Sequence, residues 1–501
     1  MTAKRVYAAV AAAAVVVYLG AILNGFVLDD VPIILRSTTV NDPAGFWRAF
    51  ALPYWNLGLG GDAYRPLAVV TYWVDGRFDG APWFHLVNLL WHAGATVAVG
   101  ALGRRWAGLE AALVAGLLFA VHPVHVEAVA NVVGRAELMA TLFACLAVYA
   151  ALGRGSVAWS AAALLCGLFS KESAAVVPAL VVWGWVCGLG RPSRRMGLLF
   201  VASWVVLGAA YAVVRWAVLH PYANFASIAP VFVGEGPVAV RLTAVAALPD
   251  VLRLLVFPAH LRADYSPAER TIVHSPLDPA FLLGLGCLAL WVVLLIVVWR
   301  RRWMVEALGL GWIAIACLPV ANLLFPVGIL LAERTLYLPS VGLVLAAGAW
   351  LPRFPARRWR LALAGLVLAG AVRTATRVPV WRTDERLTLS ILEDSPRSFV
   401  GPARASDHVE RAGQTEKALE YLRIAMAQYD RDPRVFYAAA DLAYTLGRRE
   451  LADSMLARAE ALCGHCASYY ELRAGRARAR GDTATARWLL DKTHMWEAPL
   501  R

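Results

Sequence analysis

Long apolar runs recur along the chain from Val6 to about Ala375, separated by short polar stretches, and they stop after Arg377, where charge rises sharply. A bilayer core about 30 Å thick takes about 20 helical residues to cross, so each run reads as a membrane-spanning helix. The runs predict about eleven spans, near residues 6–24, 84–102, 109–121, 136–152, 157–170, 174–190, 196–216, 279–299, 304–324, 335–351 and 359–376. Residues 241–257 are apolar too, but they carry Pro249, Asp250 and Arg253, so they read as a re-entrant or interfacial helix. The fold class is all-α, with a polytopic helical bundle over residues 1–377.

Past the last run the period changes. Gly413, Gly447 and Gly481 stand 34 residues apart, each followed five residues later by Ala418, Ala452 or Ala486. Ala425 and Ala459 continue the register, which breaks at Thr493. A 34-residue period with glycine at the turn and small residues where helices cross is the tetratricopeptide pattern. It predicts a linker over 378–398 and an α-solenoid of three helical pairs over 399–501, at 399–432, 433–466 and 467–500. Such arrays present a concave binding surface and carry no catalytic constellation of their own.

Composition sharpens this picture. Sixty per cent of the 501 residues are apolar and 17% charged, which excludes an ordinary soluble domain. The net charge of +13 would suit a nucleic-acid binder, but its placement does not. Lys4 and Arg5, Arg104 and Arg105, Arg191 to Arg195, Arg300 to Arg302 and Arg357 to Arg360 fall on alternate connections between spans. That is the positive-inside pattern, and it leaves no case for nucleic acid as a partner. It predicts a cytoplasmic N-terminus and, with eleven spans, an extracytoplasmic repeat region. Lys4 and Arg5 before an alanine-rich run also resemble a signal peptide; a retained first span is preferred, because the acidic residues that follow it belong with the rest of the chain. Cys145, Cys166, Cys187, Cys287 and Cys317 sit in spans as small apolar residues. Cys463 and Cys466 form a C-G-H-C whose expected role is a local disulfide, a redox or metal role with His465 remaining the alternative.

Charged groups near hydrocarbon are costly, about 2.5–3.5 kcal/mol each on insertion scales, so their clusters on the outer connections call for a function. Asp29 and Asp30 follow the first span and can supply a general base at the membrane–water interface. A helix cap is the plainer reading of the same pair. Arg65, in the sequence Tyr64-Arg65-Pro66-Leu67, can grip a phosphate or a carboxylate. His122, His125 and Glu127 could ligate a metal, but the intervening Pro123 and the lack of a second ligand cluster favour a polar pocket wall, continued by Arg135 and Glu137. Lys171 and Glu172 lie wedged between two spans, and Glu333 and Arg334 stand at a span entrance. An acid beside a base also reads as a buried ion pair. No metal-binding residues are assigned, although a divalent metal stays open.

Taken in order, Leu28-Asp29-Asp30, Tyr64-Arg65-Pro66-Leu67, the stretch from His122 to Glu137, Ser170-Lys171-Glu172 and the stretch from Glu333 to Ser340, followed by the repeats, resemble the transmembrane-and-tetratricopeptide protein O-mannosyltransferases of the GT-C superfamily. The likeness covers essentially the whole chain, and the 122–137 stretch is its most specific part. It implies an inverting transferase that takes mannose or a similar sugar from a polyprenyl-phosphate donor to a Ser or Thr hydroxyl of an extracytoplasmic protein. It also implies catalysis at Asp29 or Asp30, and repeats that recruit the acceptor. Three repeats are fewer than eukaryotic members carry, and the Ala-, Val- and Arg-rich composition points to a bacterial inner membrane. The competing reading is a non-catalytic membrane scaffold whose repeats bind envelope proteins.

Overall fold

A computed structural model describes residues 2–55, 63–78, 80–221 and 228–462, and of the remainder residues 474, 475, 477, 478, 481–484, 486, 487 and 490. Cys463, His465, Cys466 and Thr493 lie outside the described residues. The described residues form helices and connecting loops with no strand. Helices of at least nine residues are numbered here in chain order.

Short polar caps followed by long apolar runs start the helices. Thr2 caps α1 (Ala3–Tyr18), accepting from the Arg5 amide at 3.4 Å, and a 3-10 turn, Leu19–Leu23, extends it. After α2 (Pro66–Asp75) comes α3 (Ala81–Ala120), whose regular geometry breaks at Gly108, with φ 87° and ψ −172°. Gly108 is a true turn. A Cβ on Gly100 would lie 3.4 Å from the Ala112 carbonyl oxygen, whereas in a straight helix twelve residues cover about 18 Å. The two halves of α3 therefore fold back on each other as separate antiparallel segments, as the runs at 84–102 and 109–121 predict.

The bundle continues with α4 (Arg135–Val148), α5 (Val157–Ser170), α6 (Val177–Val186) and α7 (Arg194–Leu219). A broken pair follows, α8 (Pro237–Ala246) and α9 (Leu248–Val256), then α10 (Pro279–Arg300), α11 (Met304–Cys317), α12 (Tyr337–Trp350) and α13 (Ala356–Arg377). Among the described residues seven helical stretches are long and apolar enough to cross a membrane by length and composition, and three shorter apolar helices accompany them. The chain is thus an integral membrane protein. Most of the stretch containing α4 is buried, so it sits at the centre, whereas α7 and α10 are buried at only a few positions and present apolar side chains outward, as lipid-facing helices do. On α1 a stripe at every fourth residue, Val6, Val10, Ala14 and Tyr18, is fully buried, and Val10 Cγ1 lies 2.7 Å from where a Cβ on Gly116 would stand.

Two expectations change. The run predicted over 304–324 is helical only to Cys317. Beyond it the backbone turns at Asn322 (φ 57°), whose side chain accepts from the Val327 amide at 2.8 Å and donates to the Ile329 carbonyl at 3.1 Å. An asparagine that satisfies its own loop replaces the last helical turns. The stretch 378–398, expected as a linker, contains a 3-10 turn, Val378–Trp381, and helix α14 (Asp384–Asp394). Trp381, Leu387 and Ile391 belong to the main hydrophobic core, so that core runs past the point where the apolar runs end.

Two helical pairs follow, α15 (Val400–Arg411) with α16 (Thr415–Gln428), and α17 (Pro433–Thr445) with α18 (Arg449–Leu462). Gly413, Gly447 and Gly481 all adopt left-handed φ, 77°, 73° and 78°, the conformation a helix C-terminus asks of its terminating glycine. Ala418, Ala425, Ala452, Ala459 and Ala486 are all buried, so the 34-residue period is a packing period.

Candidate active site

At one end of the bundle the loop that joins α1 to α2 meets the loops that follow the second half of α3, α5 and α11. The chain leaves the first helix through Asn24, whose side-chain amide donates to the carbonyls of Ala130 (3.5 Å) and Val378 (3.4 Å). It then makes a tight turn in which Leu28 takes φ 49°. A non-glycine residue in that region costs about 1–2 kcal/mol, and it sits immediately before the acidic pair.

The two acids have different surroundings. Asp30 is fully buried; its Oδ1 accepts from the Val133 amide at 2.8 Å, and its Oδ2 from the amides of Val27 (3.2 Å) and Val132 (3.4 Å). It therefore caps the 3-10 turn Val132–Gly134 and fastens the first loop to the 122–137 stretch. Burial pushes its carboxyl up to about 7, against the pull of those three N–H groups. Asp29 is half-buried, and its carboxylate has no hydrogen-bond or ion-pair partner among the described residues.

Around Asp29 the acids and bases pair between the sequence clusters rather than within them. Arg65 meets Glu172, with Nε and Nη2 both 3.1 Å from Oε2, while the Tyr64 amide donates to Oε1 at 3.2 Å. Lys171 pairs with Glu137, and Arg334 with Glu127, whose Oε2 also accepts from the Arg334 amide at 2.9 Å. Glu172, although beside Lys171 in sequence, reaches back to the second cluster. The pairs form one electrostatic group: Arg334 feels Asp29, Glu127 and Glu137, and Lys171 feels Arg65 and Arg334. Each cation keeps a partly exposed side chain, 19% for Arg65, 13% for Lys171 and 27% for Arg334, so each can still meet a ligand.

Other expected residues stand elsewhere. Arg135 is fully buried, held by Asp75 (2.5 Å), Asn88 (2.7 Å), Thr71 (3.3 Å) and the Phe84 carbonyl (2.9 Å). It is an internal strut with no donor facing the acidic pair, so the phosphate- or sugar-binding role expected of it does not fit its surroundings. His122 Nε2 bonds the Leu255 carbonyl at 2.9 Å and its Nδ1 accepts from the Val124 amide at 3.3 Å; His125 Nε2 bonds Ser340 Oγ at 2.8 Å. Both rings are buried, and burial lowers them, His122 to about 4, so they pack as neutral groups that hold the loop to its neighbours. Glu333 Oε1 accepts from the Arg262 amide and from the Tyr265 hydroxyl (3.0 Å), which turns it toward the loop 258–273. Among the described residues no group of three or more His, Cys, Asp or Glu is placed to hold a metal ion.

Sequence reading missed Tyr54 in the site and several residues that brace the elements around it. Tyr54 lies under the Arg65 guanidinium, 4.9 Å from ring centre to carbon, and its hydroxyl is 3.5 Å from that of Tyr72. Asp75 had one legible signal, a lone acid ending an otherwise apolar helix. Arg262 and Glu269, 2.8 Å apart, had none, because their meaning depends on Glu333 and on the Arg397 amide that donates to Glu269 at 2.8 Å.

No family model matches the chain. Among curated proteins it is similar to mouse "Protein O-mannosyl-transferase TMTC3", 27% identical over 465 residues, covering 81% of this chain and 49% of that protein. Human "Protein O-mannosyl-transferase TMTC4" is 27% identical over 483 residues, covering 79% of this chain and 62% of that protein. A stretch of 137 residues, 25% of this chain and 14% of the relative, is 43% identical to the Drosophila melanogaster "Protein O-mannosyl-transferase Tmtc2". The chain spans about half the length of the TMTC3 relatives. By sequence, the chain with this convergence of ion pairs around Asp29 is similar to the TMTC protein O-mannosyl-transferases across about four fifths of its own length.

Proposed function

We propose that this protein is a membrane glycosyltransferase that moves a hexose, mannose or a similar sugar, from a polyprenyl-phosphate donor to a Ser or Thr hydroxyl of an extracytoplasmic protein. The observation that carries the reading is Asp29: a half-buried carboxylate with no partner among the described residues, placed by a strained turn beside a second carboxylate that three backbone amides hold, within the field of Arg334. In the reaction Asp29 takes the proton of the acceptor hydroxyl as that oxygen attacks C1 of the sugar from the face opposite the phosphate. The bond from C1 to the phosphate oxygen breaks, its electron pair leaves with the polyprenyl phosphate, and the sugar inverts. Arg65, Lys171 and Arg334 stabilise the departing phosphate, and Glu172, Glu137 and Glu127 keep those three cations oriented. A divalent ion, were one bound with the donor, would be held by Asp29 and would supply further positive charge to the departing phosphate.

The N-terminus lies in the cytoplasm of a bacterial inner membrane, and the acidic pair and the repeats lie outside. The repeats recruit the acceptor. That role is supported by how their base is tied to the 228–273 segment, whose Arg262 and Tyr265 hold Glu333, the neighbour of Arg334. Ser398 Oγ donates to Asp264 at 2.6 Å, the Arg397 amide to Glu269, and the Tyr429 hydroxyl to the Pro230 carbonyl at 2.8 Å. Purified protein in liposomes, given polyprenyl-phosphate mannose and a Ser/Thr-rich peptide library, should yield O-hexosylated peptide by mass spectrometry. Absence of transfer with mannose, glucose and galactose donors alike would favour the scaffold.

A further inference from the structure

Beside the site, at the same end of the bundle, three helices leave a groove of about 520 Å³. Its walls are Leu118 of α3 and Val121 just beyond it, Leu343 and Ala347 of α12, and Leu366 and Gly370 of α13. The helices meet closely at its base: a Cβ on Gly370 would lie 2.9 Å from Val121 Cγ2, and Thr374 Oγ1 donates to the Val121 carbonyl at 2.9 Å. Val256 and Phe257, 61% and 72% exposed, stand with Leu366, 53% exposed, around the mouth. An apolar groove between membrane helices whose mouth is framed by exposed hydrocarbon opens to lipid rather than to water.

Two polar side chains border it, and both lie at the end nearest the site. His122 is neutral and closed by the Leu255 carbonyl. Arg373 donates from Nε to the Ala259 carbonyl at 2.8 Å, and its guanidinium meets no carboxylate within ion-pair distance among the described residues. Its neighbour one turn on, Arg377, is by contrast paired with Asp394 at 2.6 Å. From Arg373 to Leu366 the helix rises about 10 Å, so one unpaired cation caps a carbon-lined slot running into the bilayer. That is the complement of an amphiphile with a compact anionic head and a single flexible hydrocarbon chain.

We infer that this groove holds the first isoprenoid units of the polyprenyl-phosphate donor, with Arg373 meeting its phosphate as the headgroup turns toward Arg334. The inference rests on the donor class proposed above. It explains why the groove touches the 122–137 stretch: His122 seals its rim while Glu127, five residues on, holds Arg334.

The test is photolabelling of the full chain in nanodiscs by a polyprenyl phosphate carrying a diazirine on its second isoprene unit, with the labelled residue mapped by mass spectrometry. The label is expected on residues 118–122, 343–347 or 366–373 of the wild-type chain. Ala369→Trp, which narrows the slot, should reduce labelling at least fivefold, and Arg373→Gln should raise the concentration needed for half-labelling about tenfold. A label mapped elsewhere while transfer persists overturns the groove alone. Equal labelling by a diazirine phosphatidylethanolamine would make it an ordinary lipid-facing crevice and also overturn it. If neither transfer nor any specific label is found, the donor reading itself fails. Mapping in the wild type needs no variant, so a misfolded Ala369→Trp leaves the test intact.

Discussion

Asp29 and Asp30 share a peptide bond but not an environment: Asp30 is fully buried, with its two oxygens taken by the amides of Val27, Val132 and Val133, while Asp29 is half-buried and free of partners among the described residues. A proton acceptor in catalysis must have a lone pair to offer. Among the described residues nothing occupies the oxygens of Asp29, whereas three backbone amides take most of the acceptor capacity of Asp30.

Replacing Asp30 by Asn should therefore act on stability. The amide group would turn an NH2 toward backbone N–H donors, leaving at least one buried donor unmet at a cost of about 1–3 kcal/mol. Thermal unfolding in detergent should show Asp30→Asn lowered by several degrees and Asp29→Asn within a degree of wild type. Equal midpoints for both would mean the three-amide cap contributes nothing.

Glu127 and Arg334 should be energetically coupled. Glu127 is almost wholly buried and accepts both from the Arg334 guanidinium and from its amide. A double-mutant cycle with Glu127→Gln and Arg334→Met should give an interaction energy of about 1–3 kcal/mol. A value near zero would reduce the pair to a surface contact. In a transfer assay Arg334→Lys, which keeps the charge but loses the planar fork, should still fall about tenfold.

His122 supplies a pH signature. Its folded value, about 4, lies below the unfolded value of about 6.5, so the fold favours the neutral ring. Its contribution is complete above about 6.5 and is lost as pH falls toward 4. Asp30 acts in the opposite sense: its folded value, about 7, lies above the unfolded 3.9, so its contribution is lost as pH rises from about 4 to 7. The two slopes oppose one another, and a variant separates them. His122→Asn keeps an acceptor for the Val124 amide and removes the titration. Its stability deficit relative to wild type should shrink between pH 7 and pH 5; a constant gap would show that His122 does not titrate on unfolding.

The repeat glycines offer a simpler check. A Cβ on Gly447 would meet nothing within 4 Å, so only its φ of 73° resists substitution. Gly447→Val should cost about 1–2 kcal/mol and Gly447→Asn much less, read by hydrogen exchange of α17 and α18 in the full chain. Equal protection in both variants would remove the turn's conformational demand.

What the sequence made legible follows from range. Spans come from local apolar runs, and even the hairpin at Gly108 was visible as a basic break between two runs. The repeat was visible because its glycines and alanines recur in one chain segment. The 304–324 run was overread because hydropathy cannot see Asn322 closing a loop on Val327 and Ile329. The charged clusters were legible because charge is conspicuous in an apolar chain. The pairing was not, since Arg65 with Glu172 and Arg334 with Glu127 join residues 107 and 207 positions apart. Arg135 misled for the same reason: its charge was visible, and its partner Asp75 on another helix was not.

The central claim is that Asp29, and not Asp30, takes the proton of the acceptor. The direct test is the transfer rate from polyprenyl-phosphate sugar at saturating donor for Asp29→Asn and Asp30→Asn, each scaled to folded protein. Asp29→Asn is expected to fall by about 10²–10⁴ with normal folding and donor binding, the range for loss of a general base. Asp30→Asn should retain most of its rate per folded molecule. Wild-type turnover in Asp29→Asn, or a loss confined to Asp30→Asn, would contradict the account.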